Sequence, residues 1–421
     1  MVLDRKLSRR RLLQAGAAGA AAAALLPLGP SGVFAAGNGR LIPAGKVGTI
    51  TFTQRDVPGR MGISTGNATM GFLGGANFPE DPTDLGPLVP LPGGWKELFE
   101  YLASVGYAQI EFAGYGQNAA NPGGAAPSAN NPANWPAYLA YAATLRGFLD
   151  DNGLEAIGNH GFIPNTWPGP NSAGGAMSTA DYDRFQVELE FASILGMPFM
   201  GTGNDPTSAN NRNIEPWTIA GEKWDALNTL SLAWGIHLYP HNHSPAYNFL
   251  QDGPTVMATQ DRLTGAPITP TPVRGESGKR LMHHYLDVTN PELCLIEMDI
   301  FWAYVAQHQH RWRYDWEGNR VEDIFDPLAT VAARPKRFPL YHAKDGDKVP
   351  GATPTQNGYD MIPFGDPRSD IDFATFFKEQ GAKGFHNPNY EQDNAPGGGA
   401  DPGRSLRFSH ISAANMNALR G

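Results

Sequence analysis

His160, His241, His243, Asp299, His342, Lys344, Glu391 and Asp393 each stand at or just past the end of a short apolar run, and Glu111 closes another. Imidazole nitrogen and carboxylate oxygen are the donors that hard and borderline divalent ions accept. A mixed His/Asp/Glu set without thiolate therefore suits Mn, Zn, Co or Mg. A single such histidine is ordinarily a hydrogen-bonded core or surface residue. Several at the same end of separate strands point to a metal cluster, with a buried hydrogen-bond network as the structural alternative. Trp302, Trp312 and Trp316 could offer a sugar ring a stacking face. His308 and His310 have metal-like spacing but no acidic partner nearby, and read as loop residues or substrate contacts.

These side chains converge only if the elements before them run parallel. From Lys46 onward, apolar and β-branched runs alternate with amphipathic stretches, the order of successive βα units. Strands are expected at 47–52, 108–112, 155–159, 198–201, 236–240, 294–298, 338–341 and 384–386. Helices are expected at 95–105, 136–152, 179–195, 216–234, 278–288, 323–333 and 373–380. Ser178 and Thr179, followed by Asp181 and Asp183, mark one helix start. The phrases SVGYAQIEF, DNGLEAIGN, ILGMPFMG, AWGIHLYP and EQGAKGFHN each set a glycine between a helix and the next strand, where a left-handed residue closes the helix.

Eight such units predict an α/β fold, a (β/α)8 TIM barrel with long loops at its C-terminal face. The Pro/Gly/Asn-rich stretches 64–94, 114–135, 161–175, 204–213, 248–276 and 346–370 all follow strands, so they would wall the mouth where such barrels carry their sites. Aromatic residues scattered through several of them argue against wholesale disorder.

At 421 residues and 41% hydrophobic content, one barrel with generous loops would use the chain up, although length alone also admits two ordinary domains. The net charge of -9 and the lack of a basic cluster past the N-terminus exclude a nucleic-acid partner. Cys294, the one cysteine, can form no intrachain disulfide and reads as core. The N-terminus has the order of an export leader: SRRRLLQ, an Ala/Leu run from Ala15 to Leu28, then VFAA. That run is too short and too rich in Ala and Gly for a membrane span. Arg9 and Arg10 give the twin-arginine form, with a cut after Ala35. The expected organisation is a leader over 1–35 and a barrel domain over 36–421, exported to the periplasm or beyond by the twin-arginine machinery.

In order along the chain, AGKVGTITFTQRD, GYAQIEFAGY, GLEAIGNHG, GIHLYPHNH, LIEMDIFWA, YHAKDG and NPNYEQDNAP resemble the sugar phosphate isomerase/epimerase-like branch of the xylose-isomerase-like barrels. The resemblance spans almost all of the chain past the leader. It implies one divalent metal held by a residue after each of strands five to eight, here His241, Asp299, His342 and Glu391. It also implies isomerisation or epimerisation beside a carbonyl, with two glutamates at strands five and eight shuttling the proton. HNH stands in place of the strand-five glutamate, so His241 can ligate the metal but the glutamate relay loses one member. The HNH form resembles exported or oxidised-sugar-handling members, in which proton abstraction leads on to elimination or cleavage.

On this reading Glu391 or His160 is the base and Lys344 steadies developing negative charge. Asp345 holds Lys344 or His342, while Glu111, His243 and Trp302 contact substrate. The expected function is an exported, metal-dependent isomerase or epimerase of an unphosphorylated sugar, since the chain is acidic and has no phosphate-binding glycine loop. A lyase or hydrolase of 3-keto-glycosides and a non-catalytic sugar-binding barrel are the alternatives, and charge disfavours an endonuclease relative.

Overall fold

The computed structural model describes residues 39–58, 69–71, 88–90, 93–115, 127–381, 386–396 and 403–421. The expected leader lies outside them, as does most of the 64–94 stretch. Among the described residues no helix is long and apolar enough to cross a membrane.

Short parallel strands close on themselves. β1 (Gly48–Ile50) pairs with β2 (Gln109–Phe112), and β2 with β3 (Glu155–Asn159). A parallel bridge between His160 and Gly201 joins β3 to β4 (Phe199–Gly201), and the Gly161 N–H donates to Gly201 O at 2.8 Å. β4 pairs with β5 (His237–Tyr239). The Glu297 N–H, opening β6 (Glu297–Asp299), reaches Pro240 O at 3.1 Å. β6 pairs with β7 (Leu340–Ala343), β7 with β8 (Asn387–Tyr390), and β8 returns to β1. Helices follow every strand: α1 (Gly94–Ser104), α2 (Trp135–Asp151), α3 (Thr179–Leu195), α4 (Ile214–Ser231), α5 (Leu281–Val288), α6 (Ile300–Gln309), α7 (Pro327–Ala333), α8 (Phe373–Gly381) and α9 (Arg404–Ala418). This is the expected (β/α)8 barrel, and it stands on its own hydrogen-bonded strand order.

The strand period of two sorts side chains between two cores. Ile157, Phe199, Tyr239, Leu295 and Leu340 form a small apolar cluster of their own. Two residues further along their strands stand Asn159, His241, Glu297 and His342, and beyond those Asp299 and Lys344. The barrel interior is thus apolar at its floor and ionisable towards its mouth. The larger core, with Leu98, Phe112, Leu145, Phe191, Met298 and Tyr341 among its members, packs helices on the outside of the sheet. At the crowded β4–β5 pair, a Cβ added to Gly201 would lie 2.1 Å from Tyr239 O and 2.5 Å from its ring. Gly201→Ala is therefore expected to cost about 1–3 kcal/mol, read as a lowered denaturation midpoint. An unchanged midpoint would mean that the two strands can part there at no cost.

Several boundaries depart from expectation for local reasons. β8 is NPNY, downstream of the expected 384–386, because its Pro and Asn residues lack strand propensity. Residues 384 and 385 lie outside the described residues, and His386 precedes the strand. α6 starts directly at the end of β6, where Asp299 Oδ1 accepts the Trp302 N–H at 2.9 Å; nearly continuous apolar sequence hides its helical period. α9 buries Ser405, Ser409 and Ser412, which blurs its amphipathic pattern. The 248–276 stretch contains an antiparallel hairpin of Thr255–Gln260 and Pro267–Arg274. Asp345–Lys348 and Tyr359–Ile362 make another, which begins one residue before the expected 346–370 loop.

Candidate functional site

The strand ends bring His241, Asp299, His342 and Glu391 together, with one potential ligand atom from each lying within 4.8 Å of the others. A second set, His160, His241, Glu297 and His342, meets the same limit and shares two members. Glu297 was missed by sequence reading, although it stands two residues before Asp299 and so faces the same side of a strand. Its Oε2 gathers three imidazoles: His160 Nε2 at 2.7 Å, His241 Nδ1 at 3.1 Å and His342 Nε2 at 3.2 Å. His342 also turns Nδ1 to Glu391 Oε2 at 2.7 Å, so it joins both sets.

Glu111, expected at the substrate, lies against this cluster beside His160 and His342. It is fully buried and accepts from Tyr239 Oη at 2.5 Å and from Asn389 Nδ2 at 2.9 Å, with His342 Nε2 at 3.0 Å. Burial and the Glu297 carboxylate raise its pKa. Burial also raises Asp299, to about 7, against the pull of Lys344. Desolvation alone would raise Glu297 and Glu391, but imidazoles around the first and His342 with Lys344 beside the second hold both well below the usual range. His241 is held far below the ordinary imidazole value by burial, which keeps it neutral and able to ligate. His342 moves the other way, because Glu297, Glu391 and Glu111 outweigh its burial.

Lys344 Nζ lies 2.7 Å from Asp299 Oδ2, 2.6 Å from Glu391 Oε2 and 3.1 Å from Asp393 Oδ2. Asp393 therefore does the holding expected of Asp345. Asp345 instead accepts from Ser369 Oγ and the N–H groups of Gly346 and Gly365, fixing its own hairpin. The Trp302 ring centroid is 5.6 Å from Lys344 Nζ, and its ring meets His243 edge-on at 5.6 Å. His160, His241, His243, Lys344, Glu391 and Asp393 line a pocket of about 260 Å³ over the cluster. His160 also lines a cavity of about 770 Å³ walled by residues that follow β2, β3 and β4. His308 accompanies neither set; its Nε2 is 2.8 Å from Thr353 O. Trp312 has the Arg320 guanidinium 3.2 Å over its ring, so that face is taken, while Trp316 is half exposed.

Three buried atoms test whether a cation fits. Glu297 Oε1, Asp299 Oδ2 and His342 Nδ1 have no hydrogen bond of acceptable geometry, although Asp299 Oδ2 and His342 Nδ1 lie within ion-pair range of Lys344 and Glu391. Buried carboxylate oxygens without a bonded partner are costly, and a divalent ion among His241, Asp299, His342 and Glu391 would give Asp299 a partner, as one among His160, His241, Glu297 and His342 would give Glu297 one.

Neither a protein-family model nor a curated protein sequence matches the chain. Among solved structures it is similar to a sugar phosphate isomerase/epimerase from Parabacteroides distasonis, at 16% identity over 92% of this chain and 97% of that one, with a TM-score of 0.48. A probable 3-DHS dehydratase from Bacillus anthracis matches at 10% identity over 88% of this chain and 98% of its own, with a TM-score of 0.47. The 3-keto-D-glucoside 4-epimerase of E. coli matches at 11% identity over 88% and 99%, with a TM-score of 0.43. All three scores fall below 0.5. The (β/α)8 barrel, with its ionisable layer at the mouth, stands on the strand order and the contacts described above.

Proposed function

We propose that this chain is an exported, metal-dependent enzyme that removes a proton beside the carbonyl of an unphosphorylated sugar or sugar derivative, an isomerase or epimerase by class. The observation that carries this reading is one geometry: buried His, Asp and Glu donors converge directly under a pocket that His160, Lys344 and Glu391 also line. His241, Asp299, His342 and Glu391 would hold the ion, with Glu297 anchoring three imidazoles from below. A bound Mn, Zn, Co or Mg ion supplies polarisation of a substrate oxygen.

The chain's own residues do the rest. Glu391 is engaged by Lys344 and His342, which leaves His160 as the better placed base. Its Nε2 is tied to Glu297, while Nδ1 faces Gly203 at the pocket wall and takes the proton there. Glu297 offsets the charge that His160 then gains. Lys344 donates to the oxygen on which negative charge grows. His243 and Trp302 give the ring a wall, and Glu111 positions His342.

Metal-loaded protein incubated in deuterated water with a panel of free and 3-keto sugars is expected to exchange a carbon-bound proton in at least one of them. No exchange in any member would sink the reading. The cavity beyond His160 favours one second reading, cleavage of a keto-glycoside after the same proton abstraction. Cleavage releases an aglycone and isomerisation conserves mass, so product analysis separates the two. The leader proposal has its own check: sequencing of exported protein is expected to begin at Ala36, and a chain still carrying Arg9 and Arg10 outside the cell would contradict it.

A further inference from the structure

We propose that the cavity walled by residues following β2, β3 and β4 is a second subsite, which takes the far ring of a disaccharide whose near ring reacts at the barrel mouth. The inference rests on the mouth being a sugar site and extends it to the class of substrate. Pockets that enclose small ligands run to about 300–1,000 Å³. The mouth pocket, at about 260 Å³, has room for little beyond one ring, whereas the adjoining cavity measures about 770 Å³. His160 lines both. A Cβ on Gly203 would come within 2.7 Å of His160 Nδ1, so the bare backbone there leaves room for the imidazole that both pockets share.

The cavity wall is polar and partly uncommitted. Lys223 is half-buried on it and has no hydrogen bond or ion pair with a described residue. Arg184 Nε and Asn159 Nδ2 are buried without a hydrogen-bond partner, and Arg184 Nε reaches Glu188 only at 3.7 Å. Asp205, on the same wall, accepts the His243 N–H and so links this cavity to the mouth. Hydroxyls of a second ring can accept from Lys223 and donate to Asp205. An apolar aglycone would bury those groups unsatisfied. The wall carries both signs of charge, Lys223 and Arg184 with Glu188 and Asp205.

The test is calorimetric titration of the intact, metal-loaded protein with glucose, cellobiose, maltose, trehalose and gentiobiose. At least one disaccharide is expected to bind at least tenfold more tightly than glucose. Lys223→Met is expected to lower that affinity ratio at least fivefold, with matching thermal melts showing the variant folded. A ratio near one for all four disaccharides in the wild type overturns the proposal, as does a Lys223→Met change that weakens glucose and disaccharide equally. The two readings fail separately. Disaccharide preference without carbon–hydrogen exchange leaves the subsite standing and removes the chemistry, and exchange without preference does the reverse.

Discussion

His342→Ala is expected to lose the bound metal and to slow carbon–hydrogen exchange by about 10³-fold or more. The magnitude follows from the several kcal/mol that Lewis-acid polarisation contributes, at about 1.4 kcal/mol per factor of ten. His342 is the residue to remove because it belongs to both candidate donor sets and touches Glu111, Glu297 and Glu391 together. No neighbour can take over its two faces. Stability should also fall, by about 3–5 kcal/mol in the metal-free protein, since the loss of one partner leaves buried carboxylates uncompensated. Elemental analysis reads the first effect, exchange in deuterated water the second, and chemical denaturation the third. His342→Gln keeps more of the volume and guards against simple unfolding. Full metal stoichiometry and undiminished exchange in a folded His342 variant would show that the cluster is not the reaction centre.

The barrel was legible because its signal repeats: each glycine-closed helix is followed within a few residues by an apolar run, and five of those phrases could be read directly. Strand ends carried the site for the same reason, and His241, Asp299, His342 and Glu391 do converge. What stayed hidden lay inside strands or between side chains. Glu297 sits within an apolar run, where strand period alone could have placed it on the face of Asp299. Tyr239 and Asn389 read as ordinary strand residues, yet both hold Glu111. Asp345 follows Lys344 in sequence, but adjacent strand residues face opposite ways, so Asp393 from the loop after β8 takes the ammonium instead. Sequence neighbours suggested one partner and the barrel's curvature supplied another. The same limit explains β8, whose Pro and Asn contradict local propensity while both neighbouring strands hold it in register.

Lys344→Met is expected to move metal affinity and turnover in opposite directions. Its ammonium touches Asp299 and Glu391, two of the proposed ligands, so Lys344 and a divalent ion neutralise the same oxygens. Two unit charges about 4 Å apart interact by about 4 kcal/mol at an effective dielectric of about 20, and this pair would repel. Removing the lysine should tighten metal binding at least tenfold. The metal-free variant should lose about 3–5 kcal/mol of stability, because Asp299, Glu391 and Asp393 are left without a cation. Saturating metal should restore much of that loss by mass action. Turnover should nonetheless fall about 10²–10³-fold, the usual effect of removing one donor from a developing oxyanion. The combination is diagnostic, since a merely structural lysine would weaken metal binding, stability and turnover together. Weaker metal binding with undiminished turnover would remove Lys344 from the chemistry and leave it a brace for Asp393.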